Sequence, residues 1–178
     1  MHGVPERDGT RGAVKRALII FAAVMNLVLV DAVTKELAAG YLMGSAAVSV
    51  IPGFFNLAYV ENRGCAWGFF QGHVWPLAVF GIVALAFLVW KRRSVFAPSR
   101  LLPGGWALVP ECLLYAGIIG NVIDRLFRGH VIDMLDFHWG AHHFPCFNFA
   151  DTLISVSVTL MLLSSFWPKT AAPPGGGH

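Results

Sequence analysis

The stretch WALVPECLLYAGIIGNVIDR, residues 106–125, decides the fold of this chain. Residues 106–123 carry a single charged side chain, Glu111, and a helix that crosses a bilayer needs roughly 20 apolar residues. The stretch ends on Asp124 and Arg125, and an acid placed in hydrocarbon costs about 2.5–3.5 kcal/mol on insertion scales. It therefore predicts a membrane helix whose polar end has a function.

The composition of the whole chain indicates the same class of protein. Of its 178 residues, 56% are hydrophobic and 13% are charged, whereas soluble domains carry about 25% charged residues. The length allows one compact domain. The net charge of +3 is small and no basic block alternates with aromatic residues, so no nucleic-acid partner is expected. We predict an α-helical polytopic membrane protein.

Three further apolar segments complete a predicted set of four transmembrane helices. The spans are expected at about residues 17–39, 74–90, 106–126 and 149–167. Together they define a membrane domain over residues 17–167. Residues 1–16 are expected to form a cytoplasmic tail, and residues 168–178, rich in Gly and Pro, a disordered one.

Basic residues predict the orientation of these spans. They occur before the first span, between the second and third, and after the fourth: Arg7, Arg11, Lys15, Arg16, Lys91, Arg92, Arg93, Arg100 and Lys169. Because cytoplasmic loops carry the excess of Lys and Arg, both termini are expected in the cytoplasm. The two other connections then lie outside. Gly44–Gly72 mixes β-branched and aromatic residues and predicts short strands lying on the membrane, whereas Arg128–Asn148 predicts a flap-like loop.

Asp124 and Asp151 are the candidate chemical groups. This topology places both at the same outer interface, and each follows an asparagine by three positions, Asn121 and Asn148. Two neighbouring carboxylates share a proton, which supplies a base to activate water and an acid to protonate a carbonyl. The alternative is structural: Asp151 caps a helix and Asp124 pairs with Arg125.

Five motifs, in order, carry a resemblance to a known family. GNVIDR at 120–125 is similar to GNxxDR, FNFAD at 147–151 to FNxAD, VIDMLDF at 131–137 to VxDFxDF, and NRGCAWG at 62–68 to NxGxxFG with Trp67 in place of Phe. Asp31 and Lys35 match an acid and a lysine of the first helix. Over residues 18–167 the chain thus resembles the lipoprotein signal peptidases (signal peptidase II), bacterial aspartyl proteases that act on lipid-modified prolipoproteins.

The resemblance implies a substrate, a place and residue roles. The substrate would be a diacylglyceryl-modified prolipoprotein, cut on the N-terminal side of its lipid-bearing cysteine at the outer leaflet of the bacterial cytoplasmic membrane. The enzyme would be a monomer among membrane lipids, without metal or cofactor, and residues 44–72 would form a β-cradle. Asp124 and Asp151 would be catalytic. The residues implied to bind substrate or support the pair are Asp31, Asn62, Gly64, Asn121, Arg125, Asn148 and Ala150.

Other polar groups leave alternatives open. Lys35 either pairs with Asp31 on one helix face or extends toward water. His130, His138, His142 and His143 lack metal-ligand spacing, and Asp133 and Asp136 are expected to order the loop near the acids. Whether Cys65 and Cys146 pair is undecided, because their separation is unknown. Glu111 is expected to reach water or a polar partner.

Two rival functions remain at this point. A proton- or ion-coupled transporter would use the acids as a relay, and it predicts carboxylates near the bilayer midplane together with an internal repeat. A binding-only relative would hold lipoproteins without cleaving them. No repeat is visible in the sequence, and both acids lie at one predicted face.

Overall fold

The computed structural model describes residues 6–65, 69–96 and 104–166. Helices and strands follow in the order α1 Glu6–Leu42, β1 Val48–Ile51, β2 Phe55–Asn62, α2 Val74–Trp90, α3 Arg92–Val95, α4 Val109–Phe127, β3 Val131–Trp139, β4 His142–His143 and α5 Phe149–Phe166. A 3₁₀ turn, Gly104–Leu108, leads into α4. The described chain is therefore mostly helical, with one small sheet between helices.

Three of the described helices are long and apolar enough to cross a membrane. These are Thr10–Leu42, Trp106–Phe127 and Phe149–Phe166, whereas Val74–Trp90 is an apolar helix below that length. Within α2 only Val74 and Ala78 are buried. A helix that is apolar on all sides and so little covered by protein suits a lipid environment.

The first helix differs from the expected span. It begins at Glu6 and continues to Leu42, so the part of the predicted tail from residue 6 onward is helical. The residues that separate Glu6 from the apolar run include no proline, and Arg, Lys and Ala all favour helix. The predicted disordered tail, residues 168–178, lies outside the described residues.

Most of the segment predicted as a flap-like loop lies in the strands β3 and β4. The strand order is β1-β2-β3-β4, and β3 runs antiparallel to β2 with Leu57 opposite Leu135 and Asn62 opposite Val131. Successive side chains of a strand point to opposite faces. Ile132 and Met134 accordingly pack against the end of α1. The carboxyl group of Asp133, which lies between them, is therefore on the other face of the strand.

Helix α4 lies at the centre and packs against α1, α2 and α5. Glycines allow its close approach to two of these neighbours. A Cβ atom on Gly117 would lie 2.5 Å from the backbone oxygen of Ala150, and one on Gly120 would lie 2.5 Å from Asp31 Oδ2. Small residues are the usual means by which membrane helices approach closely. This packing brings polar groups of α1, α4 and α5 together at the end of the helices nearest the sheet.

Candidate active site

Seven polar side chains from three helices, one strand and one connection meet where the helices join the sheet. We call them the sheet-end cluster: Asp31, Lys35, Asn121, Asp124, Asp133, Asn148 and Asp151. Lys35 and Asn148 have no exposed surface, and Asp31 and Asp133 are each 1% exposed. Only Asp151 is half-buried rather than buried. Such buried charge must be compensated by hydrogen bonds or partners.

Asp151 lies in the first turn of α5 and is held by two asparagines. The Nδ2 of Asn121 donates to Asp151 Oδ1 at 2.7 Å, and the backbone N–H of Asn148 donates to Oδ2 at 3.3 Å. In return, the backbone N–H of Asp151 donates to Asn148 Oδ1 at 2.9 Å. This reciprocal pair is a capping box. Asp151 therefore does cap α5, as the structural alternative proposed. These hydrogen bonds fix the position of its carboxylate without an ion pair.

Asp133, on β3, lies beside Asp151. Asn148 Nδ2 donates to Asp133 Oδ1 at 2.7 Å, and Asn62 Nδ2 donates to Oδ2 at 2.9 Å. Burial, and then the negative charge of Asp151, raise the pKa of Asp133 to about 7 against the lowering effect of the two amides. Asn148 thus contacts both acids. From the sequence, Asp133 was expected only to order the loop near the acids.

Asp124 is engaged differently from these two acids. Its Oδ1 accepts from Arg128 Nε at 3.0 Å, and its Oδ2 lies 3.1 Å from Lys35 Nζ. The backbone N–H of Ile132 also donates to Oδ2 at 3.3 Å. Each oxygen therefore has a cationic partner. The ion pair expected with Arg125 is formed with Arg128 instead.

A chain of hydrogen bonds beside the acids joins Asn62, Gly64 and Arg125. Asn62 Oδ1 accepts from the backbone N–H of Gly64 at 2.9 Å, which orients its amide toward the sheet-end cluster. Arg125 Nη2 donates to the Gly64 carbonyl at 3.0 Å, and its buried Nε has no hydrogen-bond partner among the described residues. Gly64 itself admits no side chain, because a Cβ would lie 2.5 Å from the Phe69 carbonyl oxygen.

Asp31 and Ala150 connect α1 to the start of α5. The backbone N–H of Ala150 donates to Asp31 Oδ1 at 2.8 Å, which satisfies a helix N-terminal donor with a carboxylate. Ala150 is fully buried, and a Cβ on Gly120 would lie 3.3 Å from its own Cβ. The small size of Ala150 is thus required by helix packing.

The acids border two adjoining clefts. One, of about 490 Å³, is lined by Asp151, Asn121 and Arg125; the other, of about 440 Å³, is lined by Asp133. Both share the residues Asn62, Cys65, Phe144, Pro145 and Cys146. A third, mostly apolar cavity of about 850 Å³ between α2 and α4 also reaches Asn121 and Arg125. The cleft beside Asp151 and the apolar cavity therefore meet at the side chains of Asn121 and Arg125.

Among the described residues, the cysteines and histidines form no hydrogen bond or ion pair with the sheet-end cluster, although Cys65 and Cys146 line both clefts. Cys65, Cys112 and Cys146 are free thiols, and burial raises the pKa of Cys146 to about 12. His143 Nδ1 lies 2.8 Å from Asp136 Oδ1 on the sheet. Among residues 6–65, 69–96 and 104–166, no group of three His, Cys, Asp or Glu side chains is arranged to hold a metal ion.

Comparison with known proteins places this geometry in a family. The model of a family described as signal peptidase (SPase) II matches residues 23–167. The chain belongs to the signal peptidase II family. A lipoprotein signal peptidase of Syntrophotalea carbinolica is 39% identical over 154 residues, covering 85% of this chain and 91% of that protein. One from Vibrio cholerae is 34% identical over 161 residues, covering 88% of each.

Solved structures agree with this family assignment. A bacterial membrane enzyme determined by the in meso method superposes with a TM-score of 0.66 at 28% identity, covering 83% of this chain and 87% of the other. A second structure with the same description gives a TM-score of 0.66 at 29% identity. The helical architecture with its small sheet is therefore shared with membrane enzymes.

Proposed function

We propose that this protein removes the signal peptide from diacylglyceryl-modified prolipoproteins, cutting on the N-terminal side of the lipid-bearing cysteine. The observation that carries the proposal is the pairing of Asp133 with Asp151 through Asn148. Membership of the signal peptidase II family supports the substrate class. Relatives named lipoprotein signal peptidase match most of the chain.

We assign the catalytic pair to Asp133 and Asp151 rather than to Asp124 and Asp151. Acid–base catalysis by two carboxyl groups needs one shared proton, so that one group acts as acid and the other as base. The oxygens of Asp133 and Asp151 accept from amides, which leaves room for that proton. Both oxygens of Asp124 face cations instead, so neither is placed to hold the shared proton.

Each proton transfer of the reaction can be assigned to one of the two carboxyl groups. Asp133 holds the proton and Asp151 the charge, which agrees with the raised pKa of Asp133. Water attacks the scissile carbonyl carbon, its proton passes to Asp151, and the proton of Asp133 passes to the carbonyl oxygen. The tetrahedral diol collapses as the C–N bond breaks. Asp151 then protonates the leaving cysteine nitrogen, and the diol returns a proton to Asp133.

The surroundings of the pair suit a lipid-bearing peptide. The two clefts border the acids, and the larger and more apolar cavity meets the first of them at Asn121 and Arg125. We assign the peptide backbone to the clefts, where the acids and asparagines offer polar groups, and the acyl chains to the apolar cavity, because pockets bind by matching apolar surface with a few placed polar groups. We place this site at the outer leaflet, with four spans and both termini in the cytoplasm, on the distribution of basic residues.

A transporter is the weaker candidate. A relay needs its acids near the bilayer midplane, whereas Asp133 belongs to a strand and Asp151 to the first turn of a helix. Nothing in the arrangement of the described residues favours a second function over peptide hydrolysis.

The test is cleavage by purified protein in detergent of a diacylglyceryl-modified prolipoprotein, beside the same precursor without the lipid. Mass spectrometry should find a product whose first residue is the lipidated cysteine, and far slower cleavage of the unmodified precursor. Binding of the modified precursor without any cleavage, by protein shown to be folded, would sink the proposal and favour the binding-only alternative.

A further inference from the structure

We propose that Lys35 is a positioning residue that fixes the amide of Asn121 and, through that amide, the catalytic carboxylate of Asp151. The inference rests on the proposed peptidase activity and adds a residue to its machinery. Lys35 lies on α1, and Asp151 lies on α5. The connection between them runs through the side chain of Asn121 on α4.

The ammonium group of Lys35 is buried and has three polar neighbours. Its Nζ donates to Asp31 Oδ2 at 2.7 Å and to Asn121 Oδ1 at 3.2 Å. It also lies 3.1 Å from Asp124 Oδ2. Lysine offers three donors and no acceptor, and two of them are used in hydrogen bonds while the third contact is an ion pair. The side chain does not extend toward water, which was one of the two roles open from the sequence.

This contact decides which way the amide of Asn121 points. Asn121 Oδ1 accepts from Lys35 Nζ and from Asn148 Nδ2, each at 3.2 Å. Both partners are donors only at these atoms, so the carbonyl oxygen of the amide must face them. Its NH₂ group is then directed to Asp151 Oδ1 at 2.7 Å. A reversed amide would set its NH₂ against a cation and its oxygen against a carboxylate.

The consequence for catalysis is geometric. Asp151 keeps a donor on Oδ1 only while Asn121 holds this orientation. Without the ammonium group, only Asn148 Nδ2 still donates to the carbonyl oxygen of Asn121, so the amide of Asn121, and with it the carboxylate of Asp151, is held less firmly in its working position. A misplacement of about 1 Å at an active site can cost about 100-fold in rate. Lys35 would thus act on turnover without touching the substrate.

Replacing Lys35 alone mixes this effect with a loss of stability. It leaves Asp31 and Asp124 buried with one cation fewer, and an uncompensated buried charge costs about 3–5 kcal/mol. The substitution Asp31→Asn removes one of these charges while its Oδ1 still accepts from the backbone of Ala150. Asp31→Asn therefore serves as the reference background, and Lys35 is varied within it.

The experiment compares three variants by kcat, KM and thermal unfolding on the diacylglyceryl-modified prolipoprotein: Asp31→Asn, Asp31→Asn with Lys35→Met, and Asp31→Asn with Lys35→Gln. The methionine variant should lose about 100-fold in kcat relative to the reference, with KM little changed. The glutamine variant, which restores an uncharged N–H donor one bond short of the position of Nζ, should recover part of that loss. Equal kcat in all three variants would overturn the proposal.

A separate substitution keeps the proposal testable if the double variants do not fold. Asn121→Asp retains the oxygen that accepts from Lys35 but removes the NH₂ group that donates to Asp151. It should lower kcat by a similar factor, and wild-type kcat in this variant would overturn the proposal. The wild-type enzyme separates the two ideas: no cleavage by wild type refutes the proposed function, whereas wild-type cleavage with unaffected variants refutes only the role of Lys35.

Discussion

Two groups of buried charge lie at opposite ends of α4, and they differ in how their acids are compensated. At the end away from the sheet, Glu111 is fully buried, pairs with Arg92 through Nε and Nη2 at 3.2 Å, and lies 3.5 Å from Arg16 Nη2. At the sheet end, Asp133 and Asp151 accept from amides rather than from cations.

The comparison shows that the number of neighbouring cations, and not burial alone, separates a structural acid from a chemical one. Glu111 faces Arg16 of α1 and Arg92 of α3, so its ion pairs join three helices. Asp124 behaves like Glu111, since Lys35 and Arg128 hold it. Among the described residues, Asp133 and Asp151 accept from amide and backbone N–H groups rather than from cations, and we propose that these two carboxyl groups share a proton.

The largest effect should come from removing the base of the pair. Asp151→Asn keeps the shape of the side chain and should lower kcat by about 1,000-fold or more, within the range of general acid–base catalysis. Asp136→Asn is the matched control, because Asp136 lies on β3 and bonds to Asn56 and His143 on the sheet. Steady-state kinetics on the modified prolipoprotein would measure both. Comparable losses in both variants would contradict the comparison.

The pH dependence of activity should follow Asp133. Burial, and then the charge of Asp151, raises the pKa of Asp133 to about 7, and a general acid must be protonated to act. We therefore expect kcat/KM to fall as pH rises above about 7, approaching a tenfold loss per pH unit. A profile of initial rates from pH 5 to 9 would measure it. A flat profile up to pH 9 would contradict the assignment of the proton to Asp133.

Compensated acids should matter for stability more than for chemistry. Asp124→Asn leaves the buried Lys35 with one counter-charge fewer, so it should lower the free energy of unfolding by about 3–5 kcal/mol. Glu111→Gln removes the charge that pairs with Arg92 and Arg16, which are partly exposed, so its loss should be smaller, about 1.5–3 kcal/mol. Glu36→Gln is the control, since Glu36 is an exposed partner of Arg128 and such pairs contribute about 0–1 kcal/mol. Thermal unfolding in detergent would rank them. A wild-type melting temperature for Glu111→Gln would show that its ion pairs do not stabilise the fold.

The smallest effect concerns the packing that assembles the sheet-end cluster. Gly120→Ala places a Cβ 2.5 Å from Asp31 Oδ2, and overpacking of this kind costs about 1–3 kcal/mol. Gly40→Ala is the control, because no atom lies within 4 Å of a Cβ at that position. Unfolding temperatures of the two variants should differ in this order. The reverse order would mean that α1 and α4 do not approach at Gly120.

The sequence could predict the helices better than the chemical pair. The expected limits 74–90 coincide with α2, and α4 and α5 end within one residue of the expected limits, because unbroken apolar runs define them locally. A catalytic role for Asp133 was not expected from the sequence, because its partners Asn62 and Asn148 lie 71 and 15 positions away. Asp133 and Asp136 also interrupt the apolar residues of β3, so the alternation of its two faces is not visible in the sequence. Lys35 was equally undecidable, since its partner Asn121 is 86 positions away.

The most direct test of the assignment of Asp133 and Asp151 as the catalytic pair compares two variants, Asp133→Asn and Asp124→Asn. Cleavage of the modified prolipoprotein is measured side by side on the folded fraction of each. The account predicts that Asp133→Asn binds the precursor but loses turnover by about 1,000-fold, as expected for a general acid. Asp124→Asn should retain measurable turnover despite its lower stability. Wild-type turnover by Asp133→Asn, with none by Asp124→Asn, would contradict the pairing of Asp133 with Asp151 and return the catalytic role to Asp124.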